Sequence, residues 1–148
     1  MKLKIRYLPE IPLPQYRYLP GKGSKDEHRK DIPSFKLKKL HQNNWKSNEA
    51  YLYGIDLFNH EFYYEAHEVW EELWFATGVK SPEGFFLKAL IQLSGARLKI
   101  KMKEERPALR LFKLASENLG NSPSSFMGLD LENLLKMGIE NIEKLPLD

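Results

Sequence analysis

Apolar residues recur every three or four positions from residue 47 onward, which predicts a series of amphipathic helices. A first helix is expected to run from the N-cap Ser47 to about Phe58, and a second to cover residues 62–76. A third helix opens at the N-cap Ser81 and runs to about Met102. This third helix is apolar on nearly every side, which is typical of a central helix.

The rest of the pattern predicts two further helices and no sheet. Pro107 begins the fourth helix, which Gly120 ends, and Asp130 caps a fifth. The fifth helix carries an apolar stripe made of Leu131, Leu134, Leu135, Ile139 and Ile142. No stretch alternates apolar and polar residues strongly enough to predict a strand. The fold class is therefore all-α, a compact bundle of about five helices.

The first 46 residues form an extended arm that contains many prolines. Five of the nine prolines lie in it, and each removes a backbone donor and disfavours helix just before it. Apolar side chains are nevertheless frequent in this stretch, so we expect the arm to pack on the helices. The predicted organisation is an arm over residues 1–46 and one helical domain over residues 47–148.

Composition excludes several classes of protein. The chain has no cysteine, so a disulfide framework, a zinc finger and a thiol nucleophile are all excluded. No apolar run approaches the roughly 20 residues that a membrane span needs, and the first six residues lack the apolar core of a secretory signal. We therefore expect a cytoplasmic protein with no membrane partner.

The formal net charge of +3 hides an uneven distribution. The arm holds 12 Lys and Arg against 4 Asp and Glu, whereas residues 47–148 hold 11 against 16. Residues 47–79 contain seven acids and neither Lys nor Arg. Complementary faces of neighbouring segments explain such a division. A nucleic-acid surface would place aromatic residues among the bases, but here they accompany the acids, so nucleic acid is not expected as a partner.

Candidate chemistry is concentrated between Tyr63 and Trp74, where four carboxylates, one imidazole and four large aromatic rings lie within about three helical turns. On a helix, His67 can meet Glu71 one turn later. Three further acids form a row on another side, namely Glu65, Glu68 and Glu72. Such a row needs basic partners, and a stripe on the third helix would supply them if it faced the row: Lys88, Gln92, Gly95 and Lys99.

Metal templates match this segment only in part. The run from His67 to Glu71 resembles the metalloprotease pattern H-E-x-x-H, but Glu71 stands where zinc needs a second histidine. In the di-iron pattern of helical bundles, a glutamate precedes the histidine by three positions, and here Tyr64 takes that place. No metal ligands are assigned, although a harder divalent ion bound by carboxylates and one imidazole stays open. The cofactor is unknown.

One interpretation is acid and base catalysis, by hydrolysis or proton transfer, in a small-molecule site between the second and third helices. An imidazole held by a carboxylate suits proton transfer. The candidate catalytic residues are His67, Glu65 and Glu68, and the candidate pocket residues are Trp70, Glu71, Trp74, Gln92 and Lys99.

The same residues are also compatible with a structural network in a non-enzymatic protein. The helix, turn and helix around Asn59 resemble a tetratricopeptide-like hairpin, which would serve as a protein-interaction module. A catalytic site requires His67 and two of the acids to reach one cavity that solvent enters. The ligand, whether small molecule or protein, is unknown; exposed aromatic residues would be compatible with a homo-oligomer.

Three segments together resemble a known family. They are Tyr53-Gly54-Ile55-Asp56-Leu57-Phe58-Asn59, then Tyr64-Glu65-Ala66-His67-Glu68 with Trp70, Glu71 and Trp74, and Leu87-Lys88-Ala89-Leu90-Ile91-Gln92-Leu93. They look like the signature of domain of unknown function family 309, which groups small bacterial and archaeal proteins. The resemblance covers about residues 48–119. It implies an all-helical bundle with no established activity.

The chain departs from this family at two places. Longer members carry a Pro-Gly turn like that at Pro20 and Gly21, usually followed by Pro-His-Pro, where this chain has residues 24–26, Ser-Lys-Asp. If the family's loop histidine joins the site, His28 would have to replace it here. Shorter members often have His where Lys99 stands, which implies that the third helix supplies a base.

Overall fold

The computed structural model describes residues 5–21, 32–120, 122 and 125–131. Within these residues the chain forms four α-helices: α1 (Glu49–Asn59), α2 (Tyr63–Thr77), α3 (Pro82–Lys101) and α4 (Glu105–Leu119). A 3-10 turn, Trp45–Ser47, precedes α1, and two antiparallel strands follow α4, β1 (Ser125–Phe126) and β2 (Leu129–Asp130). No helix among the described residues combines the length and the apolar character that a membrane span needs.

The helices pack in chain order. Helix α1 packs against α2, while α3 packs against both α2 and α4. The all-α class and the central position of α3 are therefore confirmed. Of the fifth predicted helix, only the start lies in the described residues: Asp130 pairs with Ser125 in the short hairpin, and Leu131 after it is helical. The two strands of this hairpin have two residues each, which is too short for an alternating pattern to predict them.

Two of the predicted N-cap residues can be compared with the observed helix starts. The hydroxyl of Ser81 accepts from the Gly84 N–H at 2.9 Å, so the predicted cap of α3 is confirmed. The predicted cap Ser47 is wrong, because Asn48 caps α1 by accepting from the Tyr51 N–H at 3.1 Å. The Asn48 amide also donates to the Lys38 carbonyl at 3.0 Å. A serine hydroxyl is too short to bridge the helix and the arm in this way.

A tryptophan and a glycine set the contact between α1 and α2. Trp70 is fully buried, and its indole N–H donates to the Tyr51 carbonyl at 3.3 Å. A Cβ added to Gly54 would overlap the indole ring. The glycine therefore leaves the space that Trp70 occupies, and the two helices approach closely here.

A buried carboxylate holds the arm on α1. Asp56 is fully buried and accepts from the N–H groups of Tyr7 at 2.7 Å and Leu8 at 2.9 Å. The guanidinium Nε of Arg6 lies 2.8 Å from the same carboxylate. Three donors thus surround one buried charge, which compensates for its lost hydration. The arm makes further bonds beyond this point, including one from the Tyr53 hydroxyl to the Pro12 carbonyl at 2.7 Å.

The hairpin after α4 is fastened to the core. Met127 and Gly128 have positive φ angles of 47° and 84°, as a tight type I′ turn requires. The Tyr51 hydroxyl donates to the Met127 carbonyl at 2.8 Å. Phe126 and Leu129 are buried on either side of the turn. The hairpin is therefore part of the folded body and not a loose extension.

Replacing Asp56 with Asn should lower the free energy of unfolding by about 2–4 kcal/mol, because the half-buried Arg6 and two backbone N–H groups lose their charged partner. Urea denaturation followed by circular dichroism measures this change. Glu49→Gln, an exposed acid on the same helix, is the control and should cost less than about 1 kcal/mol. Equal losses in the two variants would contradict the anchoring role.

The stability of the fold should fall at high pH because of Tyr51. Burial raises the pKa of Tyr51 well above its ordinary value, so the folded state favours the neutral phenol. A raised pKa contributes stability that is complete below the unfolded-state pKa of about 10 and is lost as the pH rises above it. Urea denaturation at about pH 8 and about pH 11 should therefore show a smaller loss for Tyr51→Phe than for the wild type. An equal loss in both proteins would contradict this assignment.

Candidate functional site

Helix α2 carries six of the eight predicted site residues, but it faces three different neighbours. One side packs into the core against α1, one side contacts the arm, and one side faces α3 and solvent. The predicted residues are therefore not gathered at a single point. Each group is best described with the neighbour that it contacts.

Glu65 is used to hold the arm. Its side chain is fully buried, and Oε2 accepts from the Tyr18 N–H at 2.8 Å. The ring of Tyr18 packs edge-on against Tyr64, with 4.6 Å between ring centroids. Because Glu65 is sealed from solvent, a substrate in solution does not reach it. Its position favours a role in holding the arm over direct contact with a substrate.

Glu68 and Glu72 line a cavity of about 360 Å³ between α2 and the arm. We call it the acidic cavity; its described walls are Ile32, Pro33, Ser34, Phe35, Leu37, Glu68, Val69 and Glu72. The two carboxylates are four positions apart and so lie on the same face of the helix. The described wall residues include two acids but neither Lys nor Arg. The cavity therefore combines negative charge with an apolar wall.

Trp70 lies in the core and not in a pocket. It is fully buried, donates to Tyr51, and packs against Phe58 with ring centroids 6.2 Å apart. Its position at the contact with α1 directs it away from both Glu68 and His67 along the helix surface. The geometry assigns Trp70 a packing role.

His67, Glu71 and Trp74 lie on the side of α2 that faces α3. The His67 Nε2 is 3.4 Å from a Glu71 oxygen, and the two side chains are 31% and 47% exposed. The His67 Nδ1 and the Trp74 Nε1 are buried, and neither has a hydrogen-bond partner in the part of the chain that the structure describes. The Lys88 ammonium of α3 lies 5.9 Å from the centroid of the Trp74 ring. This group forms a half-buried polar patch at the contact between the two helices.

Gln92 and Lys99 contact α4 and not the acid row. The Gln92 carbonyl oxygen accepts from the Asn118 amide at 2.8 Å. The Lys99 ammonium lies 3.0 Å from a Glu104 oxygen, just before α4 begins. A Cβ added to Gly95, on the same stripe, would lie 3.1 Å from Leu111. Gln92, Gly95 and Lys99 therefore face α4 and the residue before it, while Lys88 of the same stripe lies beside Trp74 of α2.

Metal ligands are not gathered in the described residues. No group of three or more His, Asp or Glu side chains there is arranged to hold a metal ion. The candidate His28 lies outside the described residues. At the fifth position of the incomplete metalloprotease pattern, the Glu71 carboxylate lies 3.4 Å from the His67 Nε2.

Two features of the site were missed from the sequence. The apolar wall of the acidic cavity comes from residues 32–37, which carry no helical pattern. The anchor Asp56 had a readable signal, since it is an isolated acid within the apolar run from Ala50 to Phe58. A lone carboxylate in such a run indicates a buried charge that needs partners.

Comparison with known protein families matches part of this chain. Residues 51–111 match the family model described as Domain of unknown function (DUF309). The resemblance to DUF309 is confirmed. The DUF309 segment contains Asp56 and all eight predicted site residues, but it excludes the arm residues that line the acidic cavity. A search of curated proteins found no match.

Proposed function

We propose that this domain binds a small cationic ligand in the acidic cavity without performing chemistry on it. The observation that carries the proposal is the pair of carboxylates, Glu68 and Glu72, on one wall of a cavity of about 360 Å³. Binding sites for small molecules are commonly cavities of this size, with apolar walls and a few placed polar groups.

Electrostatics favours a cation in this cavity. Two carboxylates one helical turn apart repel each other, and a cation placed between them converts that repulsion into attraction. The surrounding segment, residues 47–79, contributes seven acids and no Lys or Arg. The described walls of the cavity carry two acids and no base, which favours a cation over an anion there.

The apolar wall limits the class of cation. Ile32, Phe35 and Val69 face the same cavity as the two acids. A hydrated metal ion gains nothing from such a wall, whereas an alkyl-ammonium or alkyl-guanidinium compound places its methylene stem there. The ligand class that fits both walls is an aliphatic amine.

Two of the predicted site residues fit the non-enzymatic interpretation better than the catalytic one. Glu65 accepts from the arm inside the protein, and Trp70 fills the core. Both positions support a network that shapes the fold around the ligand. A general acid or base must instead lie within hydrogen-bond reach of the substrate.

A titration with 1,5-diaminopentane, followed by nuclear magnetic resonance, should give saturable shifts at residues of the acidic cavity. Glu68→Gln and Glu72→Gln should each weaken binding by about tenfold, because each removes a charge-assisted contact. Glu71→Gln is the matched control, since Glu71 adjoins Glu72 in the chain but pairs with His67, and its affinity should be unchanged. Added salt should weaken binding.

Two results would overturn the proposal. The first is an absence of saturable shifts with the diamine at low salt. The second is an equal loss of affinity in Glu71→Gln and Glu72→Gln, which would indicate a general charge effect and not a site.

A second candidate function is acid and base chemistry at His67 and Glu71. It is favoured by two buried ring nitrogens that have no partner among the described residues, His67 Nδ1 and Trp74 Nε1, since such atoms usually bind water or a ligand. In this alternative, His67 transfers a proton and Glu71 orients the ring.

For this second candidate, His67→Gln should lower the turnover of an activated ester such as p-nitrophenyl acetate by about 100-fold, because general acid and base catalysis contributes at least that much. Steady-state kinetics measures the change. His41→Gln, which alters an exposed loop histidine, is the control and should keep the wild-type rate. A turnover that is the same in all three proteins would exclude His67 as a catalytic residue for this reaction.

A further inference from the structure

We propose a second and separate binding site, for an apolar α-amino acid, where the start of α3, the end of α4 and β1 meet. A cavity of about 430 Å³ lies there. We call it the end cavity; its described walls are Lys80, Pro82, Phe85, Glu117, Asn118, Ser122 and Phe126. It shares no wall residue with the acidic cavity.

The apolar part of the end cavity is formed by aromatic rings. Phe126 is buried, and its ring stands edge-on against Phe86 with 5.1 Å between centroids. Phe85 is 47% exposed, so part of its ring is open to solvent at the cavity. An apolar side chain in the cavity would cover this exposed ring and gain contact with Phe126.

The walls are held in place before any ligand arrives. Tyr51 fastens the hairpin through its bond to the Met127 carbonyl, and this bond positions the adjacent Phe126. On the α4 wall, Asn118 is held by its bond to Gln92. Because these side chains are already fixed, ordering them on ligand binding costs little free energy.

The polar groups on the walls carry opposite charges. Lys80 and Glu117 both line the cavity, and neither forms an ion pair with any residue that the structure describes. The Ser122 hydroxyl adds a hydrogen-bonding group. A ligand that complements this set has a carboxylate for Lys80 and an ammonium for Glu117.

Charge and shape together select an apolar amino acid. A purely apolar molecule leaves Lys80 and Glu117 unpaired, and a simple amine or acid engages one of the two charges. An amino acid with a side chain the size of leucine or phenylalanine engages both charges and covers Phe85 as well. Four of the wall residues lie beyond residue 111, where the family match ends: Glu117, Asn118, Ser122 and Phe126.

The test is a titration of the protein with L-phenylalanine, followed by nuclear magnetic resonance of the backbone amides. Saturable shifts are expected at Phe85, Ser122 and Phe126. Phenylacetate lacks the ammonium and phenethylamine lacks the carboxylate, so each should bind about tenfold more weakly. Glycine, which has no side chain to cover Phe85, should produce no saturable shift.

Variants separate the site from a general charge effect. Lys80→Met and Glu117→Gln should each weaken L-phenylalanine binding by about tenfold. Lys113→Met and Glu105→Gln remove the same charges from exposed positions of α4 outside the cavity, and they should bind as the wild type does. Thermal denaturation checks that all four variants fold.

Three results would overturn this proposal: no saturable shift with L-phenylalanine, equal affinity for L-phenylalanine and phenylacetate, or an equal loss in the control variants. The two proposed sites can also fail independently. Glu72→Gln should leave L-phenylalanine binding intact, and Lys80→Met should leave diamine binding intact, because the two cavities share no residue.

Discussion

The burial of Asp56 is the constraint on which the arrangement of this protein depends. A carboxylate inside a protein is costly unless donors surround it, and here the donors come from Arg6, Tyr7 and Leu8 of the arm. Helix α1 therefore cannot keep this residue at its centre without the arm. On α2, the buried Glu65 carboxylate likewise accepts a hydrogen bond from the arm, from the Tyr18 N–H. The described parts of the arm therefore pack on the helices, and its residues 32–37 form one wall of the acidic cavity.

The concentration of polar and aromatic residues on α2 reflects three neighbours and not one site. The core takes Trp70, the arm takes Glu65, and the side toward α3 keeps His67 with Glu71. A helix in contact with several elements needs a different surface for each of them. A short segment with many polar and aromatic residues can therefore result from the packing of one helix against several neighbours. The residues proposed to bind a ligand are those that line a cavity, Glu68 and Glu72.

The ends of the helices add a second place where function can reside. Residues from the turn before α3, from the end of α4 and from the hairpin meet around the end cavity, although they are distant in the chain. Tyr51 links this region to the core through the hairpin. The same helix that anchors the arm through Asp56 thus also shapes the far wall of the end cavity. The two proposed sites rest on one rigid core.

Local patterns in the sequence determined the helices, because a helix depends on residues three and four apart. Ser81 with Pro82 marked the start of α3 correctly, and the isolated Asp56 carried a signal of buried charge. Tertiary structure alone decided the rest. Whether Asn48 or Ser47 caps α1 depended on a contact with Lys38, and the direction of Gln92 depended on Asn118. Such contacts join residues that no periodic pattern relates. The sequence therefore indicated which segment holds the candidate residues, but not which of them lie together in the folded protein.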